Sequence, residues 1–213
     1  MNNNSLQQTI NINKVDYNLN ELEQLVWKKL VNGSIKKKSG FRTMCVGTIN
    51  ERAECSLRIV VNRKVDELNK KIFFHTDIRS RKCADLKRNN RLSLLFYDGR
   101  QRVQITVKAM ATIHTNDDFA AEKWRTTSAQ ARLSYMSIDA PNTKSNFPTL
   151  GYEERFAVNE PTGVESDLFK ENFAVITCTA CELEFLYLDY KGNRKANFFY
   201  KNGILENSFW AVP

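Results

Sequence analysis

The run Phe73-Phe74-His75-Thr76-Asp77-Ile78-Arg79-Ser80-Arg81-Lys82 sets cations where an anion can be gripped. Its apolar-aromatic start reads as a strand. Ser80 reads as the N-cap of a helix through Cys83, Ala84, Leu86 and Lys87. Arg81 and Lys82 then fall in the first helical turn, beside free backbone N–H groups and the positive end of the helix dipole. The dipole disfavours cations there by a few tenths to about 1 kcal/mol. A phosphate in that corner reverses the penalty; an ordinary solvated helix start merely tolerates it.

Upstream, Cys55-Ser56-Leu57-Arg58-Ile59-Val60-Val61-Asn62-Arg63 has the β-branched density of a strand, with period-two alternation only in part. Arg58 and Arg63 are an odd number of residues apart, so a regular strand sends them to opposite faces. Arg58 can face a ligand while Arg63 reaches round the strand end. Phe74-His75-Thr76, Ser80-Arg81-Lys82 and Asn90-Arg91-Leu92-Ser93-Leu94-Leu95-Phe96 follow at short spacing. As an ordered set these motifs resemble the pyridoxamine 5'-phosphate oxidase-like, FMN-binding split β-barrel family. The likeness covers roughly residues 40–213 and is densest over 56–112.

The resemblance implies a cofactor and its ligands. Arg58, Arg81 and Lys82, with Ser80 at the same helix start, would hold the FMN phosphate. The backbone of Ile59, Val60 and Val61 would run along the isoalloxazine ring. His75, where the family commonly has Tyr, and Thr76 match an aromatic-Thr step at the flavin. After the next hairpin the family has Arg-Gln-Val, but Arg100-Gln101-Arg102-Val103-Gln104 puts Arg102 in the Gln place. Gln104, two residues on, shares a strand face with Arg102, and either can meet the flavin. Arg125 with Ser128 resembles a pair that grips a substrate phosphate, at a spacing one residue shorter. Arg63, Arg125 and Arg194 are the candidates for an anionic group on the substrate.

Departures cluster near the C-terminus. Family members that oxidise pyridoxamine 5'-phosphate carry Arg-x-His there, whereas Gly192-Asn193-Arg194-Lys195-Ala196-Asn197 has no His after Arg194. Asn197 stands at a cofactor Arg position and Leu186 replaces a Trp. The implied function is FMN-dependent oxidation or reduction of a small anionic substrate, by a homodimer with flavin sites at the subunit interface. A flavin reductase-like or non-catalytic FMN-binding role is the alternative.

Composition frames this reading. At 213 residues, 42% hydrophobic and 11% aromatic, the chain suits one domain spanning 1–213, with residues 1–18 as a polar arm. No apolar run approaches the ~20 residues of a membrane span. Met1-Asn2-Asn3-Asn4-Ser5 lacks a signal-peptide profile, so the cytoplasm is expected. Five cysteines, an odd count, fit reduced thiols. Cys178 and Cys181 are three apart on a strand-like run, so their sulfurs diverge unless a bulge intervenes. His75 and His114 lack a nearby third ligand, and no metal site is expected. The net charge of +8 raises nucleic acid as a remote alternative, with Lys28-Lys29, Lys36-Lys37-Lys38 and Lys70-Lys71 as its support. An anionic cofactor and substrate explain the same balance, and cations at a helix end need no ligand.

Pattern and turn chemistry supply the elements. Asn20-x-x-Glu23 resembles a capping box opening a helix with Leu22, Leu25, Val26 and Leu30 on one face, closed at Asn32-Gly33. Strands are expected at 41–50, 54–62, 71–76, 92–97, 101–114, 173–188, 195–200 and 207–212, with an Asp98-Gly99 hairpin. Asn116-Asp117-Asp118 caps a helix through Trp124; short helices are expected at 128–132 and 165–171. Ser137 to Pro161 reads as a long loop bordering the flavin site, with Phe147 and Tyr152 available to stack. Many strands at hairpin spacing with few helices make the chain mainly β with flanking helices, an antiparallel barrel. That agrees with the split barrel of the resemblance.

Overall fold

A computed structural model describes residues 9–213; the first eight residues of the expected arm lie outside that range. The rest of the arm is a hairpin, β1 (Ile10–Ile12) with β2 (Val15–Tyr17). Asn13 and Lys14 form its two-residue turn with φ of 53° and 69°, the sign a type I′ turn demands. Ile10 and Ile12 are buried against the body, so packing orders the segment.

α1 (Leu19–Ile35) has its cap two residues before the expected one and ends two beyond the expected stop. Asn18, not Asn20, is the N-cap: its Oδ1 accepts from Glu21 N at 3.0 Å and its own N–H donates to Glu21 Oε2 at 2.9 Å. Glu23 is used elsewhere, paired with Lys70 at 2.8 Å and accepting from the Tyr200 hydroxyl at 3.0 Å. Gly33 stays helical because the chain needs close approach there. A Cβ at that position would lie 2.4 Å from the Phe41 carbonyl oxygen.

The main sheet is antiparallel and nine-stranded: β3 (Thr43–Ile49), β4 (Cys55–Val61), β5 (Lys64–Asp66), β6 (Lys71–Asp77), β7 (Arg91–Asp98), β8 (Val103–His114), β9 (Phe173–Tyr187), β10 (Arg194–Lys201) and β11 (Ile204–Ala211). Its path runs β11-β10-β9-β8-β7-β3-β4, with β6 branching from β9. One edge of β9 pairs with β8 along its length. The other edge is divided: Phe173–Thr179 pairs with β6, and Glu182–Tyr187 pairs with β10. That division splits the barrel. α2 (Arg81–Arg88) follows β6; α3 (Asp118–Thr126), α4 (Ala129–Arg132) and α5 (Gly163–Asp167) sit between β8 and β9.

Two hairpins differ from expectation. Asp98 pairs with Val103, so the β7–β8 loop has four residues rather than turning on Asp98-Gly99 alone. Asp98 builds that loop by accepting from Arg100 N at 3.0 Å and Gln101 N at 3.2 Å. Arg102 closes it at φ 56° and precedes β8, so it shares no strand face with Gln104. The β10–β11 turn is Asn202-Gly203, φ 52° and 79°, and β11 begins three residues before the expected Asn207. An Asn-Gly step is the turn signal that locates it.

The expected 165–171 helix forms earlier, as α5, because Thr162 and Glu165 make a capping box. Within Ser137–Pro161, Ile138 N donates to Gly151 O at 3.0 Å, closing the neck of an exposed Ω-shaped loop. The remainder contains a 3-10 turn, Glu154–Ala157, whose Phe156 is buried with Leu133 and Met136. Tyr152 packs on that cluster rather than standing free. Cys181 is the unpaired residue of a bulge, because Ala109 pairs with Ala180 and Lys108 with Glu182. Even so the sulfurs diverge: Cys178 is in the core and Cys181 is exposed. Among the described residues no helix is long and apolar enough to cross a membrane.

Candidate functional site

Strand alternation divides the candidate residues between two places. Thr76 and Ser80 turn inward beside Lys82, whose ammonium donates to Thr76 Oγ1 at 2.9 Å and Ser80 Oγ at 3.1 Å. Burial lowers the Lys82 pKa from its ordinary value, and the nearby positive charge of Arg58 lowers it further, against the raising influence of Cys83 and Asp77. Arg58 Nη1 donates to Thr48 Oγ1 at 2.7 Å, Ser56 O at 2.9 Å and Val46 O at 3.3 Å. Thr48 passes the tie on, donating to the buried Asp85 of α2 at 2.8 Å. Ser80 occupies the N-cap position, but its hydroxyl donates to Asp77 O at 2.7 Å and makes no capping bond. The first N–H groups of α2 therefore have no side-chain cap.

Two cations thus meet at a helix N-terminus, held by hydroxyls and carbonyls. Neither is in an ion pair among the described residues. A phosphate dianion fits that donor set, since charge-assisted bonds replace the hydration both cations have lost. Arg81 sits differently: it is exposed and faces the long loop. The Asn142 amide oxygen, in the orientation that satisfies both groups, accepts from its Nη2 at 3.0 Å and Nε at 3.3 Å. Arg79, bidentate on Asp77, anchors the same loop by donating to Ser137 O at 2.9 Å and Ile138 O at 3.0 Å.

His75 points away from Thr76, into a second cleft of about 580 Å³ that it lines with Arg42, Arg63, Lys64, Lys123 and Ser128. Its ring stands edge-on to Phe173 at 4.9 Å, and its buried Nδ1 has no hydrogen-bond partner. Burial foremost, then the charges of Arg63 and Lys123, push its pKa down to about 3, so the imidazole is neutral. Burial, with Arg63 as a second cause, also lowers the Arg42 pKa. Of these cations only Lys123 has a carboxylate partner among the described residues, Glu122 at 2.8 Å. Arg125 is exposed and lies outside the cleft lining.

The remaining candidates lie elsewhere. Arg102 donates to the Tyr187 hydroxyl at 2.8 Å and faces Asp189 at 3.5 Å. Gln104 pairs across to Tyr97 and Leu186. Arg194 is exposed, its guanidinium turned back onto Gly192 O at 3.0 Å and Asn193 O at 2.9 Å. All three lie at the Val103 end of β8, and among the described residues none hydrogen-bonds to Arg58 or Lys82. Ile59, Val60 and Val61 lie on β4, a terminal strand of the sheet path. Val60 packs on the core, whereas Leu57 and Ile59 are 68% and 67% exposed. Leu57, with Leu95 and Met110, borders an apolar groove of about 590 Å³.

Sequence reasoning missed Thr48, Asp85, Arg79, Arg42 and Lys123. Only the short Asp77-x-Arg79 spacing offered a local signal for any of them; the rest come from distant elements.

Comparison with known proteins follows this geometry. A family model described as pyridoxamine 5'-phosphate oxidase matches residues 36–151. A pyridoxine/pyridoxamine 5'-phosphate oxidase of Proteus mirabilis (strain HI4320) is 43% identical over 53 residues, which span 25% of this chain and only 24% of that protein. Among solved structures, a pyridoxamine 5'-phosphate oxidase-related, FMN-binding protein of Nostoc punctiforme PCC 73102 superposes with a TM-score of 0.71 at 16% identity, covering 89% of this chain and 97% of its own. PhzG of Burkholderia lata 383, solved with tetrahydrophenazine-1-carboxylic acid, gives 0.67 at 14% identity, covering 89% and 91%. At such identities the structural likeness is one of fold, the split barrel. With more than half of its length matched by the family model, this chain belongs to the pyridoxamine 5'-phosphate oxidase family.

Proposed function

We propose that this protein binds FMN and uses it to oxidise or reduce a small anionic substrate. The observation that carries the reading is the pair Arg58 and Lys82, half-buried at the start of α2 and held only by neutral oxygens. Thr48 and Asp85 orient Arg58; Thr76 and Ser80 orient Lys82, so the phosphate meets preset donors. Bound FMN supplies hydride transfer to or from the substrate. The terminal strand β4 offers backbone groups to the flavin ring. Arg63, beside the neutral His75, presents charge for an anionic group of the substrate, and Arg42 and Lys64 add to that field. The long loop, tied to Arg79 and Arg81, borders the phosphate corner.

The same reading extends to a homodimer. Among the described residues Arg102 and Arg194 hydrogen-bond elsewhere and Gln104 makes no bond to the Lys82 corner of its own chain. A second copy seated on the apolar face around Leu57, Ile59, Leu95 and Met110 offers a way to bring them to it. Arg194, turned back on its own loop and with no His two residues later, favours a substrate other than pyridoxamine 5'-phosphate, or electron delivery from a nicotinamide.

Fluorescence titration tests cofactor binding. FMN is expected to be quenched on binding. Arg58→Ala or Lys82→Ala should weaken FMN, but not riboflavin, by roughly 1.5–3 kcal/mol per lost charged hydrogen bond. Absence of quenching in the unmodified chain refutes the proposal. Anaerobic mixing then separates chemistries: bleaching by pyridoxamine 5'-phosphate marks an oxidase, and bleaching by a nicotinamide alone marks a reductase.

A further inference from the structure

A third concavity, separate from either place above, gathers six cations that have no ion-pair partner among the described residues. It is a groove of about 910 Å³ between the C-terminal half of α1, the turn after it, and the β7–β8 loop. Lys28 and Lys29 line it from the helix, Lys36, Lys37 and Lys38 from the turn, and Arg100 from the loop. Asp98, the carboxylate in the lining, is already occupied by Arg100 N, Gln101 N and Gln101 Nε2, the last at 2.6 Å.

The helix dipole accounts for part of this cluster at most. It favours cations in the last turn of α1, yet Lys28 and Lys29 are mid-helix and Arg100 belongs to another element. Lys29 is half-buried, donates to Gln101 Oε1, and has its pKa lowered by burial despite the opposing influence of Asp98. Gathering like charges in one groove costs stability, and an anion bound there offsets it. The walls are also held together: a Cβ on Gly40 would lie 2.6 Å from the Asp98 carboxyl carbon, so the turn packs directly on the loop.

We propose that this groove binds a compact oligophosphate, a ligand carrying at least two linked phosphate groups. A lone phosphate would leave most of the six cations uncompensated. A short groove of this size suits a small ligand, whereas a nucleic acid chain would call for an extended basic track. The chain could be inorganic or part of a nucleotide. Tyr97, half-exposed at the rim, would stack on a base in the second case.

Calorimetric titration of the full chain with tripolyphosphate and with ATP, at roughly 150 mM salt to screen loose surface attraction, tests this. One site per chain with micromolar Kd is expected. The triple variant Lys28→Ala/Lys36→Ala/Arg100→Ala should weaken it at least tenfold. So should Lys37→Glu, an exposed turn position that puts the fold at no risk. The double variant Arg58→Ala/Lys82→Ala should leave it unchanged, which separates this site from the proposed cofactor corner. Equal affinities assign the phosphate chain as the whole ligand; tighter ATP binding that Tyr97→Ala removes assigns a nucleotide. The proposal is overturned by no binding of either probe, by binding that the groove variants do not move, or by loss in the corner variant. Length-dependent binding of single-stranded RNA, far tighter than either probe, also overturns it in favour of nucleic acid.

Discussion

Lys82 and Arg58 have each given up hydration for neutral hydrogen-bond acceptors, a poor exchange for a cation unless an anion completes the shell. Thr48 is the joint between them and the helix. Its hydroxyl accepts from Arg58 at 2.7 Å and donates to Asp85 at 2.8 Å. Thr48→Val keeps the shape, leaves a buried carboxylate unpaired and frees the guanidinium. Denaturant unfolding should show a loss of about 1–3 kcal/mol, with FMN affinity falling alongside. His75 gives a pH signature. With a pKa near 3, against 6.5 for an ordinary imidazole, the folded chain binds fewer protons than the unfolded one between those values. Stability is complete above pH 6.5 and declines as pH falls through that window, by up to about 1.4 kcal/mol per pH unit. In His75→Gln that contribution vanishes, so the stability gap between the two proteins should narrow from pH 7 to pH 4.

At the scale of elements, α1 shows local preference yielding to contact. Alanine is favoured over glycine within a helix by about 1 kcal/mol, so propensity alone makes Gly33→Ala stabilising. The Phe41 carbonyl oxygen, 2.4 Å from the added carbon, reverses the sign. Overpacking of this kind costs roughly 1–3 kcal/mol, and Tm should fall rather than rise. β9 makes the complementary point. Its run of apolar residues was legible as one long strand, but apolar continuity does not say which neighbour takes which edge. The exchange from β6 to β10 and the bulge at Cys181 follow from how three strands compete for it.

For the whole molecule, the outward face of β4, β7 and β8 exposes Leu57, Ile59, Leu95 and Met110 where a lone chain would favour polar residues. If a second copy covers it, sedimentation should show about twice the 24.7 kDa chain mass. Leu57→Glu with Ile59→Glu should then halve that mass and weaken FMN binding while circular dichroism stays unchanged. A monomeric unmodified chain would remove the dimer from the proposal.

What this sequence determined by itself was what short-range chemistry can carry. β-Branched and aromatic runs between turn signals located eight of the strands, Asp117 and Ser128 announced α3 and α4, and the Ser80-Arg81-Lys82 step marked a cationic helix start. The ordered motifs identified the family, which the model over residues 36–151 bears out. Tertiary structure decided which cations stand together. His75 and Thr76 are adjacent in sequence, yet alternation sends one to the Arg63 cleft and the other to Lys82. Arg102 left the strand because Asp98 organises a four-residue loop. Thr48 and Asp85, 37 residues apart, became the brace of Arg58 only once β3 and α2 had packed. Pattern reports the face a residue prefers; the partner across that face is set by closure of the sheet, which spans too much chain for local spacing to encode.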